Sequence, residues 1–203
     1  MNTLIHPTYF PSISHFVAIA KAESVVFEME DNFQKQTNRN RMYIYSPNGI
    51  QLLNVPIKSC NSKQMTKDVK LETAFDWQKQ HFKSLESAYR TSPFFEYFED
   101  TFQPIFTKKH IFLMDLNLET INLVSKCLRL DFQPQKTTEY FHEVPQFEDF
   151  RGLANGKKDE NEFENYTQVF HTKHGFLNNL SILDLLFNEG KFALEYLRMQ
   201  DLS

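Results

Sequence analysis

The sequence predicts an α/β fold: a small Rossmann-like parallel sheet core in the N-terminal half with a β-hairpin, followed by a mainly helical C-terminal half. Three observations predict it. A strand, a helix and a second strand fit between Thr3 and Glu28, the pattern of a crossover unit with parallel pairing. Two further strand-like runs flank Pro47-Asn48-Gly49, the composition of a hairpin turn. From Asp76 onward, apolar residues recur at spacings of three and four, the period of helices. A chain of 203 residues can build one core. We read it as one domain, 1–203, with an α/β half at 1–75 and a mainly helical half at 76–203.

Thr3–His6 is the first strand, stopped by Pro7 and again by Pro11. Ser12 or Ser14 can cap the next helix, whose apolar face carries Phe16, Val17, Ile19 and Ala20. Ser24-Val25-Val26-Phe27 is a second, buried strand. Met42–Tyr45 and Gln51–Ile57 form the hairpin, with Gly49 supplying the positive φ of its turn and Pro56 marking an end or an edge. Lys58–Lys67 is a polar loop, and Val69–Leu71 adds a short strand. Asp76 caps a helix on which Trp77, His81, Leu85, Ala88 and Tyr89 share a face. Ser92-Pro93 begins a Phe-rich helix, and Ile111–Leu128 is a third. From Asp131 to Asn165 the pattern decays into polar, Pro-bearing sequence, and the charge run Lys157–Glu164 is a solvated loop. Order returns at Tyr166–Phe170, then in a short helix that Asn179 or Ser181 caps, carrying Ile182, Leu183, Leu186 and Phe187.

Hydrophobic content of 41% and charge of 24% are ordinary for a globular chain, whereas 21 Phe and 8 Tyr against 5 Gly point to an aromatic core. A net charge of −4 disfavours whole-surface attraction to nucleic acid or acidic membranes. Cys60 and Cys127 lack metal-ligand spacing and read as reduced thiols of a cytoplasmic protein. Nothing at the N-terminus resembles a signal peptide, and no apolar run approaches the ~20 residues of a membrane span. With so few glycines a dinucleotide fingerprint is excluded. Phosphate-loop, zinc, nucleophile-elbow and RNA-binding motifs are also missing. His110, His142, His171 and His174 are scattered, and no metal site is expected.

The densest polar chemistry lies in Asp31–Arg41, at the exit of the second strand. In parallel sheets ligands gather at the carboxyl ends of strands. The run and His6–Phe10 should therefore share one rim. His6 can serve as general acid or base, Asp31 can orient an amine, and Lys35 can stabilise developing negative charge. Arg41 suits a carboxylate or phosphate in bidentate fashion. Tyr9, Asn32, Gln36 and Asn40 supply orienting hydrogen bonds, and Tyr166 and Gln168 line the same pocket or simply finish a strand. The plain alternatives are ion pairs of these cations with Asp31 or Glu30, and surface exposure of Glu28 and Glu30. His81 reads as a satisfied core histidine. Asp184, amid apolar residues, needs a partner if buried: an Arg of the Asn38–Arg41 step, or water.

Several blocks resemble the WbqC-like protein family. They are H-P-T-Y-F-P at His6–Pro11, N-R-N-R at Asn38–Arg41, and N-G followed by V-P-I through Ile57. D-W-Q-K-Q-H at Asp76–His81 and A-Y-R-T-S-P-F-F-E-Y-F through Phe98 belong with them, as do Y-T-Q-V-F at Tyr166–Phe170 and the segment Gly175–Gly190. The form with K-Q before N-R-N-R looks like the version common in Bacteroidetes. The commoner family opening is H-Q-P-x-Y-F-P-W; this chain lacks that Gln and has Ser12 where Trp is usual, so a pocket shaped by either differs here. The resemblance implies a role in surface-polysaccharide (O-antigen type) biosynthesis, with glycyl or aminoacyl transfer to an amino sugar suggested for some members. The substrate expected is a small molecule, a sugar nucleotide or an amino acid. The other reading is a non-catalytic glycan-precursor-binding or scaffold protein that works through the aromatic stretch Phe94–Phe106. The sequence names no cofactor and no oligomeric state.

Overall fold

A computed structural model of the chain describes residues 2–61 and 63–202 and has the α/β architecture that the sequence predicts. Ser62, within the Lys58–Lys67 loop, lies outside the described residues. β1 (Asn2–Ile5), α1 (Ile13–Lys21) and β2 (Ser24–Phe27) form the crossover unit. β1 and β2 run parallel, Leu4 opposite Val26 and Ile5 opposite Phe27. β3 (Arg41–Ser46) and β4 (Gly49–Asn54) pair antiparallel as a separate hairpin, Ser46 opposite Gly49, whose φ is 95°.

The sheet has four strands, and two of them come from sequence read as patternless. β5 (Gln135–Lys136) and β6 (Glu148–Asp149) flank the central pair, giving the all-parallel order β5-β2-β1-β6. Each is two residues long, too short to carry a periodicity of its own. Both are held by main-chain pairing to a buried strand.

Helices make up most of the remaining regular structure: α2 (Trp77–Tyr89), α3 (Phe95–Thr107), α4 (Leu113–Cys127), α5 (His171–His174), α6 (Ile182–Glu189) and α7 (Ala193–Met199). Asp76 caps α2 by accepting from Lys79 N, and Ser181 caps α6 by accepting from Leu183 N. Ser92 closes α2 on Tyr89 O rather than opening α3, which starts at Phe95. The stretch 166–170 forms no strand. Val69–Leu71 contributes single bridges, Lys70 to Phe112 and Leu71 to Ile57. α1 is buried from Ile13 to Ile19 because α6 and α7 cover it as well as the sheet.

One hydrophobic cluster runs from Ile5 to Leu197. Most of the Phe-rich helix feeds it: Phe95, Phe98, Phe102 and Phe106 are all buried. Phe10 stacks on Phe106 and sits against Phe102. It does so at φ 38°, a conformation that a bulky L residue reaches only when its surroundings impose it. Thr120 Oγ1 accepts from its N–H at 3.3 Å and Ser181 Oγ donates to its carbonyl at 3.0 Å. The aromatic anchor thus fixes the loop that follows β1.

Candidate functional site

Parallel pairing in this register sets the carboxyl ends of the strands side by side, so the residue after each strand arrives at one rim. His6 follows β1, Glu28 follows β2, Thr137 follows β5, and Arg151 lies just past β6. The loop from Asp31 to Asn40 folds over the same edge. Its anchors are main-chain bonds from Tyr9 N to Asn38 O, from Asn38 N to Ala154 O and from Phe33 N to Gln64 O. Asn117, fully buried on α4, donates from Nδ2 to both Pro7 O and Arg39 O, tying the two loops together.

Within this rim Asp31 Oδ2 accepts from Arg39 Nη2 at 2.7 Å and Nε at 3.0 Å, and it stands 3.6 Å from His6 Nδ1. The side chains are 7%, 4% and 2% exposed for His6, Asp31 and Arg39. Arg39 also donates to Thr37 Oγ1. Burial, with the charges of Arg39 and Arg151, pushes the His6 imidazole well below its ordinary pKa, so it is neutral at neutral pH. Asp31 Oδ1 is buried with no hydrogen-bond partner among the described residues, as are Thr8 Oγ1, Asn40 Oδ1 and Asn117 Oδ1. A carboxylate with one oxygen satisfied and one free, beside a neutral imidazole, can position and deprotonate an N–H or O–H group.

Beside this triad lies a second charged group, in which Glu28 is a buried carboxylate, 1% exposed, rather than surface charge. Its Oε1 accepts from Thr137 Oγ1 and Glu30 N, and its Oε2 is 3.4 Å from Arg151 Nη1. Arg151 clamps Asp149 at 2.8 and 2.7 Å, donates to the carbonyls of Phe141 and His142, and lies over the Tyr140 ring. Neither Glu28 nor Arg151 figured in the expected site. The available signal was position, since any polar residue just past a parallel strand reaches this edge.

The remaining expected residues are distributed as follows. Lys35, Asn32 and Gln36 are exposed on the outer face of the loop, with Gln36 at φ 62° and in reach of Lys157. Arg41 begins β3 and donates to Asn54 Oδ1. Asn40 Nδ2 is committed to Val55 O and Asn54 Oδ1. The Tyr9 hydroxyl meets His81 Nδ1 at 3.0 Å, which satisfies that histidine in the core. The expected pairing with Glu30 is made by Lys67, at 2.6 Å. Tyr166 and Gln168 converge on Asp184, which also accepts from Tyr89. The partners of Asp184 are therefore neutral donors rather than an arginine or water.

A further buried chain of hydrogen bonds runs behind the rim. His15 Nδ1 meets Ser12 Oγ at 3.1 Å, Ser12 meets Ser14, and Ser14 donates to Asp159 Oδ2. Asn179 and Asn161 donate to Asp159 as well. The charge run at 157–164 is thus partly drawn inward and is not wholly solvated. No group of three or more His, Cys, Asp or Glu that could hold a metal ion occurs among the described residues. Among those residues no helix is long and apolar enough to cross a membrane.

Residues 6–155 match the WbqC-like protein family, and the chain belongs to that family. It is 24% identical over 222 aligned positions to an uncharacterized protein of Mycobacterium tuberculosis (strain ATCC 25618 / H37Rv), an alignment covering 96% of this chain and 96% of that one. No solved structure matches it.

Proposed function

We propose that the chain is a transferase of surface-polysaccharide (O-antigen type) biosynthesis that attaches a glycyl or aminoacyl group to the amine of an amino sugar at the rim of its sheet. The observation that carries this reading is the neutral His6 beside Asp31, whose second carboxylate oxygen is free, where a parallel sheet receives ligands. Family membership supports the pathway assignment.

In the proposed step the sugar amine attacks the carbonyl carbon of an activated aminoacyl donor. A C–N bond forms, and the bond to the donor's activating group breaks, the group leaving with the electron pair. His6 takes the proton released from the amine, and Asp31 orients the ammonium-to-amine transition. Lys35 meets the negative charge that develops on the donor. Asn32 and Gln36 hold the donor from the exposed side of the loop and Arg41 from the start of β3. Tyr9 ties the two loops together through its main chain, and Asn40 fixes the Asp31 loop to the end of the hairpin. Tyr166 and Gln168 act at one remove, through the Asp184 group.

The near-complete burial of His6, Asp31 and Arg39 favours a second reading, a non-catalytic protein that binds a glycan precursor or serves as a scaffold. Incubation of the full chain with nucleotide-linked amino sugars and an activated glycyl donor (a glycyl thioester or glycyl adenylate), alongside free glycine with and without ATP, separates the two by mass spectrometry. Transfer of a glycyl group appears as one new amide adduct. His6→Gln and Lys35→Ala should abolish or sharply reduce it while the thermal midpoint holds. Precursor binding without any adduct, unaffected by His6→Gln, would establish the second reading instead.

A further inference from the structure

Beside the Phe-rich helix, at the edge of the core, lies a groove of about 610 Å³ between α3 and the end of α4. Its walls are strongly apolar. Phe94, just before α3, and Tyr97 and Phe98 on it form one aromatic stripe, and Tyr97 is 75% exposed, far more than a structural aromatic needs. Three cations reach the same groove from two directions: Lys126 and Arg129 from the end of α4, and Lys191 from the turn after α6. Among the described residues no carboxylate lines it.

Lys126 and Arg129 make no side-chain hydrogen bond or ion pair with any described residue. A cation at a helix C-terminus offsets the helix dipole, which accounts for Lys126 in the last turn of α4 but does not require three cations to converge on one groove. Arg129 is the more telling. It takes φ 56° in the position after the helix, with Leu130 N bonded back to Ser125 O. Glycine is the relaxed residue there, and an arginine is held in a strained backbone conformation. Burial also pushes the Cys127 thiol in the wall up to about 11, so it adds no negative charge.

We propose that the α3–α4 groove is a binding site for a single amphiphilic anion, a phosphate head on an unbranched apolar chain. The aromatic stripe takes the chain, and Lys126, Arg129 and Lys191 take the head. The volume is that of an ordinary small-ligand site, about 300–1,000 Å³. Charge complementarity selects the sign: an apolar wall alone would accept any hydrocarbon, whereas an unopposed ring of three cations rejects a cationic head. The site shares no residue with the rim, so it stands or falls independently of the transfer reaction.

Calorimetric titration of the full chain with dodecyl phosphate below its micellar concentration tests this. Dodecyl phosphate should bind, while inorganic phosphate and dodecyltrimethylammonium should not. Arg129→Gly and Lys126→Gln should each weaken binding about tenfold, the loss of one charge-assisted contact. Arg129→Gly should do so with an unchanged or higher thermal midpoint, because glycine suits the backbone there. Equal binding of the ammonium amphiphile would overturn the proposal. So would undiminished affinity in both variants, or binding confined to vesicles containing phosphatidic acid, which would mean a membrane surface rather than a single ligand.

Discussion

Two buried carboxylates in this protein have been given opposite surroundings. Asp184 is fully buried and receives neutral donors on both oxygens, the Tyr89 hydroxyl on one and the Tyr166 hydroxyl with the Gln168 amide on the other. Asp31 is also buried, but one of its oxygens accepts from the Arg39 guanidinium while the other has no partner among the described residues. Burial raises the pKa of Asp184 despite its three donors. The first arrangement is a closed knot that ties α2, α6 and the segment before α5 together. The second is incomplete, lies at the sheet edge, and faces a histidine held neutral. Satisfied polarity in a core specifies structure, whereas an unfinished network leaves a hydrogen-bonding capacity open.

The contrast breaks most readily by substitution. Asp31→Asn leaves Arg39 buried without its anion and should cost about 3–5 kcal/mol. Asp184→Asn keeps shape and neutral partners and should cost only about 1–2 kcal/mol, since tyrosine hydroxyls can turn to accept. Urea denaturation of both variants at neutral pH decides it. Equal losses would erase the distinction between the two carboxylates.

Acidity sharpens it next, because the histidines behind and beneath the rim are held neutral by burial. His15 and His81 are each lowered to about 4, and His6 is lowered as well. A group with a depressed folded pKa contributes stability that is whole above its unfolded value near 6.5 and is lost as pH falls below it. For His15 or His81 the loss approaches roughly 3 kcal/mol by pH 4. Asp184 has the reverse sign: its raised pKa means stability is lost as pH climbs above the unfolded value of 3.8. Urea midpoints between pH 7 and pH 4 should therefore fall steeply in the wild type and less steeply in His81→Gln. The penalty of Asp184→Asn should shrink as pH rises.

The smallest effect concerns the outer face of the loop. Lys35→Ala alters an exposed side chain and should change stability by no more than about 0.5 kcal/mol. Any effect on glycyl transfer in that variant is then a direct one. A large loss of stability in Lys35→Ala would instead make Lys35 a structural residue and remove it from the proposed site.

Parts of this molecule could be read from residue order alone. The crossover unit, the hairpin turning at Gly49 and the Asp76 cap follow from local patterns that the final fold respects, and of the two caps offered for α6, Asn179 and Ser181, the fold uses Ser181. His6 and the Asp31–Arg41 run meet at one edge, as strand order required. Within that run, however, the guanidinium that reaches Asp31 belongs to Arg39, while Arg41 stays on the hairpin. Two arginines two residues apart are indistinguishable in composition, and only the path of the loop decides which one turns inward. Glu28 looked like surface charge beside Glu30 because nothing in the chain announces Arg151, which lies 123 residues away. β5 and β6 were invisible for the same reason, being strands only by virtue of what they pair with.

By itself the sequence determined the fold class, the places of α1 to α4 and α6 to within a few residues, and the edge where polar residues collect, since periodicity, caps and turns act over a few residues. The tertiary structure alone decided which charges are paired, which carboxylate is left half-satisfied, and that Tyr166 and Gln168 serve Asp184. Those outcomes depend on burial and on partners far apart in the chain, where the loss of water makes each pairing consequential and no local pattern can specify it.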